Sequence, residues 1–326
     1  NMQEGFLVVD KQAIVLSHNR SISKIFDVDS SVDGKHVLEI NRSEEFTECI
    51  KKAIQGIHSE YICPVKGRYY NIYANPVFRN NEVAGAVVII TDVTEKEERE
   101  DLRREFSANV SHELKTPIAL IQGYAEGLKE NISEDPESRE FYCDVIMDEA
   151  SKMNKLVRNL LTLNQLESGR DEMTVERFDI VTLIRGVLQS MDIMIQQKEA
   201  KVSFDAEKPV YVWADEFKIE EVVTNYTSNA LNHLDGEKEI EIRVLTEENH
   251  VKVTVFNTGT PIPEEDIPNL WNKFYKVDKA RTREYGGSGI GLSIVKAIME
   301  GLHQQYGVQN YDNGCLLYTS DAADDT

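Results

Sequence analysis

FSANVSHELKTPIAL, residues Phe106–Leu120, sets His112 beside Glu113 and follows them with Thr116 and Pro117. The stretch reads as a helix. At about 100° per residue, Phe106, Val110, Leu114, Pro117, Ile121, Tyr124 and Leu128 fall within about 80° of one another and make one apolar stripe. His112 lies about 160° from the centre of that stripe, so it faces solvent. Thr116 follows one turn later, about 40° round, on the same exposed face. An exposed imidazole is substantially unprotonated near neutral pH and is a usable nucleophile. Glu113 beside it can orient the ring or accept its second proton. Pro117 lacks an N–H and weakens the helix at that point. Taken alone, the stretch is equally a surface histidine on a charged helix, and the rest of the chain has to decide.

Just upstream, EKEEREDLRREF is charged, has no Gly or Pro, and extends the same helix on an exposed path. Downstream, a second helix is expected from Pro136, with Ser133 as a plausible cap, running to Gly169. Two long amphipathic helices with a short connection form an antiparallel hairpin. A lone hairpin cannot bury its stripes, whereas two copies paired into a four-helix bundle can. This segment is taken as residues 94–172.

Residues 1–93 read as a small α+β unit. GFLVVD and AIVLSHN are strands around a turn at Asp10-Lys11, SISKIF and SEEFTECIKKAIQG are helices, and SEYICPV, RYYNIYANPVF and EVAGAVVIITDV are strands. VAGAVVII is the most apolar run of the chain, and its short, β-branched character makes it a buried strand. Residues 173–314 read as α/β, starting with a helix FDIVTLIRGVLQSMDIMIQQK and strands KVSFDA and VYVWA. A helix from Asp215 follows, then strands EIEIRVLTE and HVKVTVFNT, a glycine-rich loop and a last helix GIGLSIVKAIMEGL. The tail CLLYTSDAADDT, residues 315–326, drops the preceding pattern and reads as the translation of a sequencing-library adapter. It is set aside as non-native, with the last strand of the fold expected to be missing. The opening Asn-Met-Gln carries no signal sequence, and the chain is read as a fragment.

Composition sets outer limits. A chain of 326 residues suggests two or three domains, and 41% apolar residues suffices for ordinary cores. A formal net charge of −21 argues against non-specific binding to nucleic acid or anionic lipid. Cys49, Cys63, Cys143 and Cys315 are scattered, with no CxxC spacing, so neither a zinc site nor a disulfide framework is indicated. No apolar run approaches the roughly 20 residues of a membrane span.

Three further segments carry chemistry. In EEVVTNYTSNALNH, Asn225 and Asn229 are four apart and share a helix face. Their amide oxygens suit a hard cation such as Mg²⁺, which prefers oxygen and keeps phosphates and water in its shell. Asparagine is a poor helix former, so a helix with Asn225, Asn229 and Asn232 needs a reason. In VFNTGTPIP, Asn257 and Gly259 let the backbone turn tightly and approach a flat ligand. In GGSGIGLSIVK, glycines enter a helix, placing free N–H groups and the positive dipole end at a phosphate. No GK[ST] follows, so it is not a Walker loop. Lys276 and Arg281 supply cations just before it.

Together these segments resemble the sensor histidine kinases of bacterial two-component systems, in the PAS-containing phosphate- or cell-wall-sensing flavour of Gram-positive bacteria. SHELKTP is similar to the phospho-acceptor box, NYTSNALNH to the asparagine box, and NTGTPI, LWNKFYK and GGSGIGL to the glycine and lid boxes. The order of strands and helices in residues 1–93, closing on TDVTE, resembles a PAS domain and its junction into an output helix. The resemblance implies a multidomain α+β fold: a PAS unit, a dimerising helical hairpin, and an α/β-sandwich ATP-binding domain of the histidine kinase/Hsp90-like type. It implies that His112 accepts the γ-phosphoryl group of ATP, that Glu113 is its base or orienter, and that Thr116 positions water for dephosphorylating a response regulator. Asn229 would hold Mg²⁺, with Asn225 at the phosphates, and Asn257 would read adenine. Gly259, Gly287, Gly289 and Gly291 would shape the loops, and Lys276 and Arg281 would contact phosphates from the lid. It further implies a homodimer, a response-regulator partner, and a membrane segment ahead of Asn1, leaving this part on the cytoplasmic side.

Two departures stand out. Asn257 occupies the adenine-reading position where Asp is usual, and Asn232 and His233 stand where Lys and an aromatic are common. These keep open a degenerate kinase acting as phosphatase or scaffold. A related ATPase without histidine transfer is the second alternative, and SHELKTP on an exposed face argues against it. A binding module centred on a PAS ligand is the third. Residues 1–93 carry no haem or flavin signature, so a purely structural PAS core is expected.

Overall fold

The computed structural model describes residues 4–28, 32–130, 135–169, 173–247, 250–277 and 287–322. Its contacts divide the chain into two units, Asn1–Ser107 and Ala108–Thr326.

In the first unit, β1 (Gly5–Asp10) and β2 (Val15–His18) form a hairpin, α1 (Arg20–Phe26) and α2 (Glu44–Ile54) follow, and β3 (Ser59–Val65), β4 (Arg68–Arg79) and β5 (Glu82–Asp92) complete one antiparallel sheet. Its strand order is β2-β1-β5-β4-β3. The apolar run expected to be a buried strand is central β5, where Ala86, Val88 and Ile90 alternate inward at 0% exposure. Gly85 is required there, because a Cβ would lie 2.1 Å from the Val9 carbonyl oxygen. Helix α2 contributes Phe46, Ile50 and Ala53 to one core with Leu7, Ile72 and Val88. Ser43 caps this helix by accepting from the Phe46 N–H.

The junction out of this sheet is tied by hydrogen bonds. Asp92 Oδ1 accepts from the Thr94 N–H at 3.0 Å and from the Thr94 hydroxyl. Thr94 Oγ1 in turn accepts from the Tyr69 N–H at 3.0 Å, and the Val93 N–H donates to the Tyr69 carbonyl at 2.9 Å. The first turn of α3 (Thr94–Lys129) is thereby fixed to strand β4. The hydroxyl and N–H of Thr94 and the Arg68 guanidinium hold the Asp92 carboxyl below its ordinary range, against the opposing effect of burial.

Helix α3 continues through Pro117 without a break. Every residue of the stripe expected from the sequence is buried or half-buried, and His112 and Thr116 are exposed. The partner helix is α4 (Pro136–Glu167). Its cap is Asp135, which accepts from the Ser138 N–H at 2.8 Å. The proposed cap Ser133 lies outside the described residues. The two helices meet at Tyr124 and Tyr142, whose rings pack edge to face at 5.0 Å. Gly127 makes the approach possible, since a Cβ would lie 2.7 Å from the Tyr142 ring.

Beyond the hairpin stands a five-stranded sheet of order β11-β12-β10-β9-β7. Its strands are β7 (Lys201–Phe204), β9 (Glu239–Glu247), β10 (His250–Thr258), β11 (Gln305–Tyr311) and β12 (Gly314–Ala322). All pairs are antiparallel except β7 with β9. Helices α5 (Ile180–Ser190), α7 (Glu216–Asn232) and α8 (Gly291–Gly301) share one core with it. Ile184, Ile219, Val223, Tyr226, Ile294 and Ile298 pack with Ile240, Ile242, Val253 and Val255.

Two expectations are corrected. The helix expected from Phe178 starts later: Glu176–Asp179 is strand β6, paired with β8 (Tyr211–Ala214). Asp179 takes over as the cap, accepting from the N–H groups of Val181 at 3.2 Å and Val210 at 2.9 Å and from the Thr182 hydroxyl. The apolar run after it is broken at Met191 into α5 and a short α6 (Asp192–Lys198). The fold also does not end at Gly314. Residues 314–322 form β12, inserted between β10 and β11, with nine register pairs from His250↔Ala322 to Thr258↔Gly314. The physical reason is alternation: Cys315, Leu317 and Thr319 point inward at 9%, 6% and 3% exposure, so this tail satisfies the period-2 pattern a central strand needs. The final strand expected to be missing is present.

Candidate functional site

The nucleotide-type motifs, far apart in sequence, converge at one end of α7 and α8. Asn225 lies on α7 with its Nδ2 donating to the Glu221 carbonyl at 2.9 Å, which leaves Oδ1 turned toward the start of α8. There Gly291 is the first helical residue, and a Cβ on it would lie 2.7 Å from Asn225 Oδ1. Glycine here leaves the Asn225 amide undisturbed. Helix α8 has no side-chain cap and no acidic residue in its first turn. Its leading N–H groups and dipole therefore suit an anion. Asn229, one turn beyond Asn225, is half-buried on the same helix. Among the described residues no group of three or more His, Cys, Asp or Glu could hold a metal ion. A Mg²⁺ shared between one amide oxygen, phosphate oxygens and water fits that donor set, because this ion uses few protein ligands.

Asn257 sits near the end of β10 at 4% exposure. Its Nδ2 donates to the carbonyls of His233 at 3.4 Å and Thr258 at 3.2 Å, and its Oδ1 accepts from the Cys315 thiol at 3.4 Å. The two carbonyls fix the amide so that its oxygen is the acceptor. Gly259 follows, and a Cβ there would lie 2.5 Å from the His233 carbonyl oxygen. The end of α7 and the end of β10 are thus pressed together by a residue without a side chain. Burial pushes the Cys315 thiol up to about 11, so it stays protonated and can donate at neutral pH.

Gly289 has φ +70, and a Cβ on it would lie 2.8 Å from the Phe274 carbonyl carbon. The Phe274 N–H donates to the Gly289 carbonyl at 2.8 Å, and Phe274 itself is left-handed at φ 62. The glycine loop and the aromatic segment before it are therefore interlocked. Gly287 is half-buried just ahead of this knot. Arg281 lies outside the described residues.

The acceptor end is arranged differently from the sequence expectation in one respect. His112 is exposed, with the Thr116 hydroxyl 3.5 Å from its carbonyl oxygen. Glu113, however, turns to Lys276: its Oε1 accepts from Nζ at 2.8 Å, with side chains 32% and 17% exposed. A second ion pair, Lys273 to Glu167 at the end of α4, spans 2.7 Å. Sequence reading missed both pairs, because partners 163 and 106 residues apart leave no local pattern. The left-handed Phe274 likewise had no local signal.

Comparison with known proteins agrees with this arrangement. Three family models match in order: "PAS domain" over residues 1–94, "His Kinase A (phospho-acceptor) domain" over 102–169, and "Histidine kinase-, DNA gyrase B-, and HSP90-like ATPase" over 214–316. Sensor protein kinase WalK of Staphylococcus epidermidis is 29% identical over 308 residues, covering 92% of this chain and 50% of that protein. A WalK sequence of Staphylococcus aureus is 33% identical over 307 residues, covering 92% of this chain and 73% of that one. Sensor histidine kinase WalK of Bacillus subtilis is 34% identical over 223 residues, covering 68% of this chain and 36% of that protein. The chain thus spans about half the length of several curated relatives it matches. Among solved structures, histidine kinase ThkA in complex with response regulator protein TrrA aligns at TM-score 0.55 and 24% identity, covering 98% of this chain and 96% of that one. Acinetobacter baumannii histidine kinase AdeS aligns at TM-score 0.55 and 22% identity, covering 66% and 98%. These two likenesses speak for the fold. With its PAS domain, phospho-acceptor hairpin and ATPase-type sheet in that order, the chain belongs to the two-component sensor histidine kinases of the PAS-containing, Gram-positive type.

Proposed function

We propose that this chain is the kinase region of a sensor histidine kinase that transfers the γ-phosphoryl group of ATP to His112 and then to an aspartate of a response regulator. The observation that carries the reading is the reach of the lid segment to the acceptor helix: Lys276, from the segment preceding the glycine loop, touches Glu113 at 2.8 Å, next to exposed His112. A nucleotide held by that segment has a path to the imidazole.

The chemistry is an in-line displacement. A ring nitrogen of His112 attacks the γ-phosphorus, the bond from that phosphorus to the β,γ-bridging oxygen breaks, and ADP leaves with the electron pair. The other ring nitrogen gives up its proton to Glu113 or to water. Positioning and charge neutralisation supply most of the rate in such transfers. Mg²⁺ bound at Asn229 would neutralise charge on the phosphate oxygens. Asn225 and the N–H groups opening α8 contact phosphate, Asn257 accepts from the adenine amino group, and Lys276 adds a cation, as does Arg281. Thr116 places water against the phosphorylated regulator, whose aspartyl phosphate is hydrolysed to aspartate and inorganic phosphate.

Homodimerisation is part of the proposal. Ile118, Leu120, Phe141, Met147, Val157 and Leu161 are 40–70% exposed on α3 and α4, which is costly for a single hairpin. A second copy would cover such residues in a four-helix bundle. Among the described residues no helix is long and apolar enough to cross a membrane. Attachment to a membrane would come through a segment outside this chain.

The test is incubation of the whole chain with Mg²⁺ and γ-labelled ATP beside His112→Gln. Acid-labile, alkali-stable label on the parent and none on the variant is expected. Nucleotide binding with no label on either would instead favour a phosphatase or scaffold, with Asn257 the first residue to restore to Asp.

A further inference from the structure

The segment Trp271–Val277 grips the helical hairpin at two points. Lys273 meets Glu167 on α4 and Lys276 meets Glu113 on α3. The Lys276 pair is the drier, its side chains 17% and 32% exposed against 35% and 46% for the Lys273 pair. Between the two lysines Phe274 holds a left-handed conformation, φ 62, that a bulky residue keeps only when its surroundings enforce it. Its N–H donates to the carbonyl of Gly289, in the loop that opens α8, at 2.8 Å. Trp271 adds an edge-to-face contact with Tyr306 at 4.6 Å. One short segment is thus tied at once to the glycine loop and to both helices of the hairpin.

Both members of the drier pair are groups the transfer reaction needs elsewhere. While Lys276 Nζ is held on Glu113 Oε1 at 2.8 Å, its charge is withdrawn from phosphate and that carboxylate oxygen is occupied rather than turned to His112. We propose that the Glu113–Lys276 pair is an autoinhibitory contact, broken when nucleotide phosphates compete for Lys276, so that nucleotide arrival and release of Glu113 are one event. This rests on His112 being the acceptor and on the segment being the lid of the nucleotide site. A ligand shifts such an equilibrium only by its differential affinity. The triphosphate, with more charge at its far end, opens the contact better than the diphosphate.

Two readouts on the full chain test it, using the parent, Glu113→Gln, Lys276→Met and the double variant. The first is calorimetric affinity for a non-hydrolysable ATP analogue with Mg²⁺. The second is hydrogen exchange of residues 271–277 without nucleotide. Glu113→Gln is expected to bind the analogue about fivefold tighter, the size of a modest ion pair. Lys276→Met is expected to bind it more weakly, and the double variant to match Lys276→Met alone. Exchange over 271–277 should rise in Glu113→Gln. Unchanged affinity and exchange in Glu113→Gln would overturn the proposal, as would tightening that persists on the Lys276→Met background. If the parent binds no analogue, the proposed function fails by itself. Exchange then decides the contact: a rise in Glu113→Gln upholds it, and no rise overturns it.

Discussion

Three single residues concentrate the account. His112 was legible as an exposed side chain, because the 3.6-residue period of α3 places it opposite seven apolar neighbours that are all buried or half-buried. Thr116 shares its face, and Thr116→Ala is expected to leave labelling of His112 in place while slowing dephosphorylation of the regulator about tenfold or more. A phosphatase assay on pre-phosphorylated regulator checks this, and equal rates would remove Thr116 from the mechanism. Gly291 was legible only as one of several glycines. Its specific reason, the 2.7 Å that a Cβ would leave to Asn225 Oδ1, is a three-dimensional fact. Gly291→Ala should therefore displace the Asn225 amide and weaken nucleotide binding about tenfold, about 1.4 kcal/mol. Calorimetry with ADP and Mg²⁺ reads it directly.

Among the elements, those with a strong period were readable from sequence: β5, α2, α3, α4 and α7, although the cap of α4 is Asp135 and not the expected Ser133. Errors arose where a side chain competes with the helix for the backbone. Asp179 accepts from Val210 as well as Val181, and so holds β6 against the loop before β8 and delays α5. The start of α3 is a similar junction, and its Asp92 gives a pH prediction. A carboxyl depressed in the folded state contributes stability above its unfolded value, ordinarily 3.8. That contribution is lost as pH falls from there through the folded value. Protection of Thr94–Glu98, taken as exchange relative to the intrinsic rate at each pH, should fall on acidification over that window and, at neutral pH, in Asp92→Ala, by an amount typical of a lost side-chain bond at a helix start, about 1 kcal/mol. No loss of protection in the variant would show that the Asp92 bond does not hold the helix start. Strand β12 was the reverse case: its residues were set aside because their pattern departs from what precedes them, yet Cys315, Leu317 and Thr319 are buried on a strand held between β10 and β11. A chain ending at Gly314 exposes one edge of β10 and of β11. It is expected to melt well below the full chain or to aggregate, seen by thermal unfolding with light scattering. An unchanged melting temperature would contradict the central place of β12.

For the whole molecule, the order of its parts was written in motifs, while their meeting was not. SHELKTP, the asparagine helix and the glycine loop each announce a local chemistry. One link between them is the Lys276–Glu113 contact across 163 residues, which no period or cap encodes. In the proposed reaction, phosphate from a nucleotide held at α7 and α8 ends on one imidazole of α3. The most direct measurement is the position of the phosphoryl group after the full chain is incubated with ATP and Mg²⁺, mapped by mass spectrometry of peptides kept at neutral pH. A single phosphoryl group is expected on His112 of the peptide spanning residues 106–120, absent when Asn229 is replaced by Ala. Phosphate on Ser111 or Thr116 instead, or on no residue of α3 while nucleotide is consumed, would contradict it.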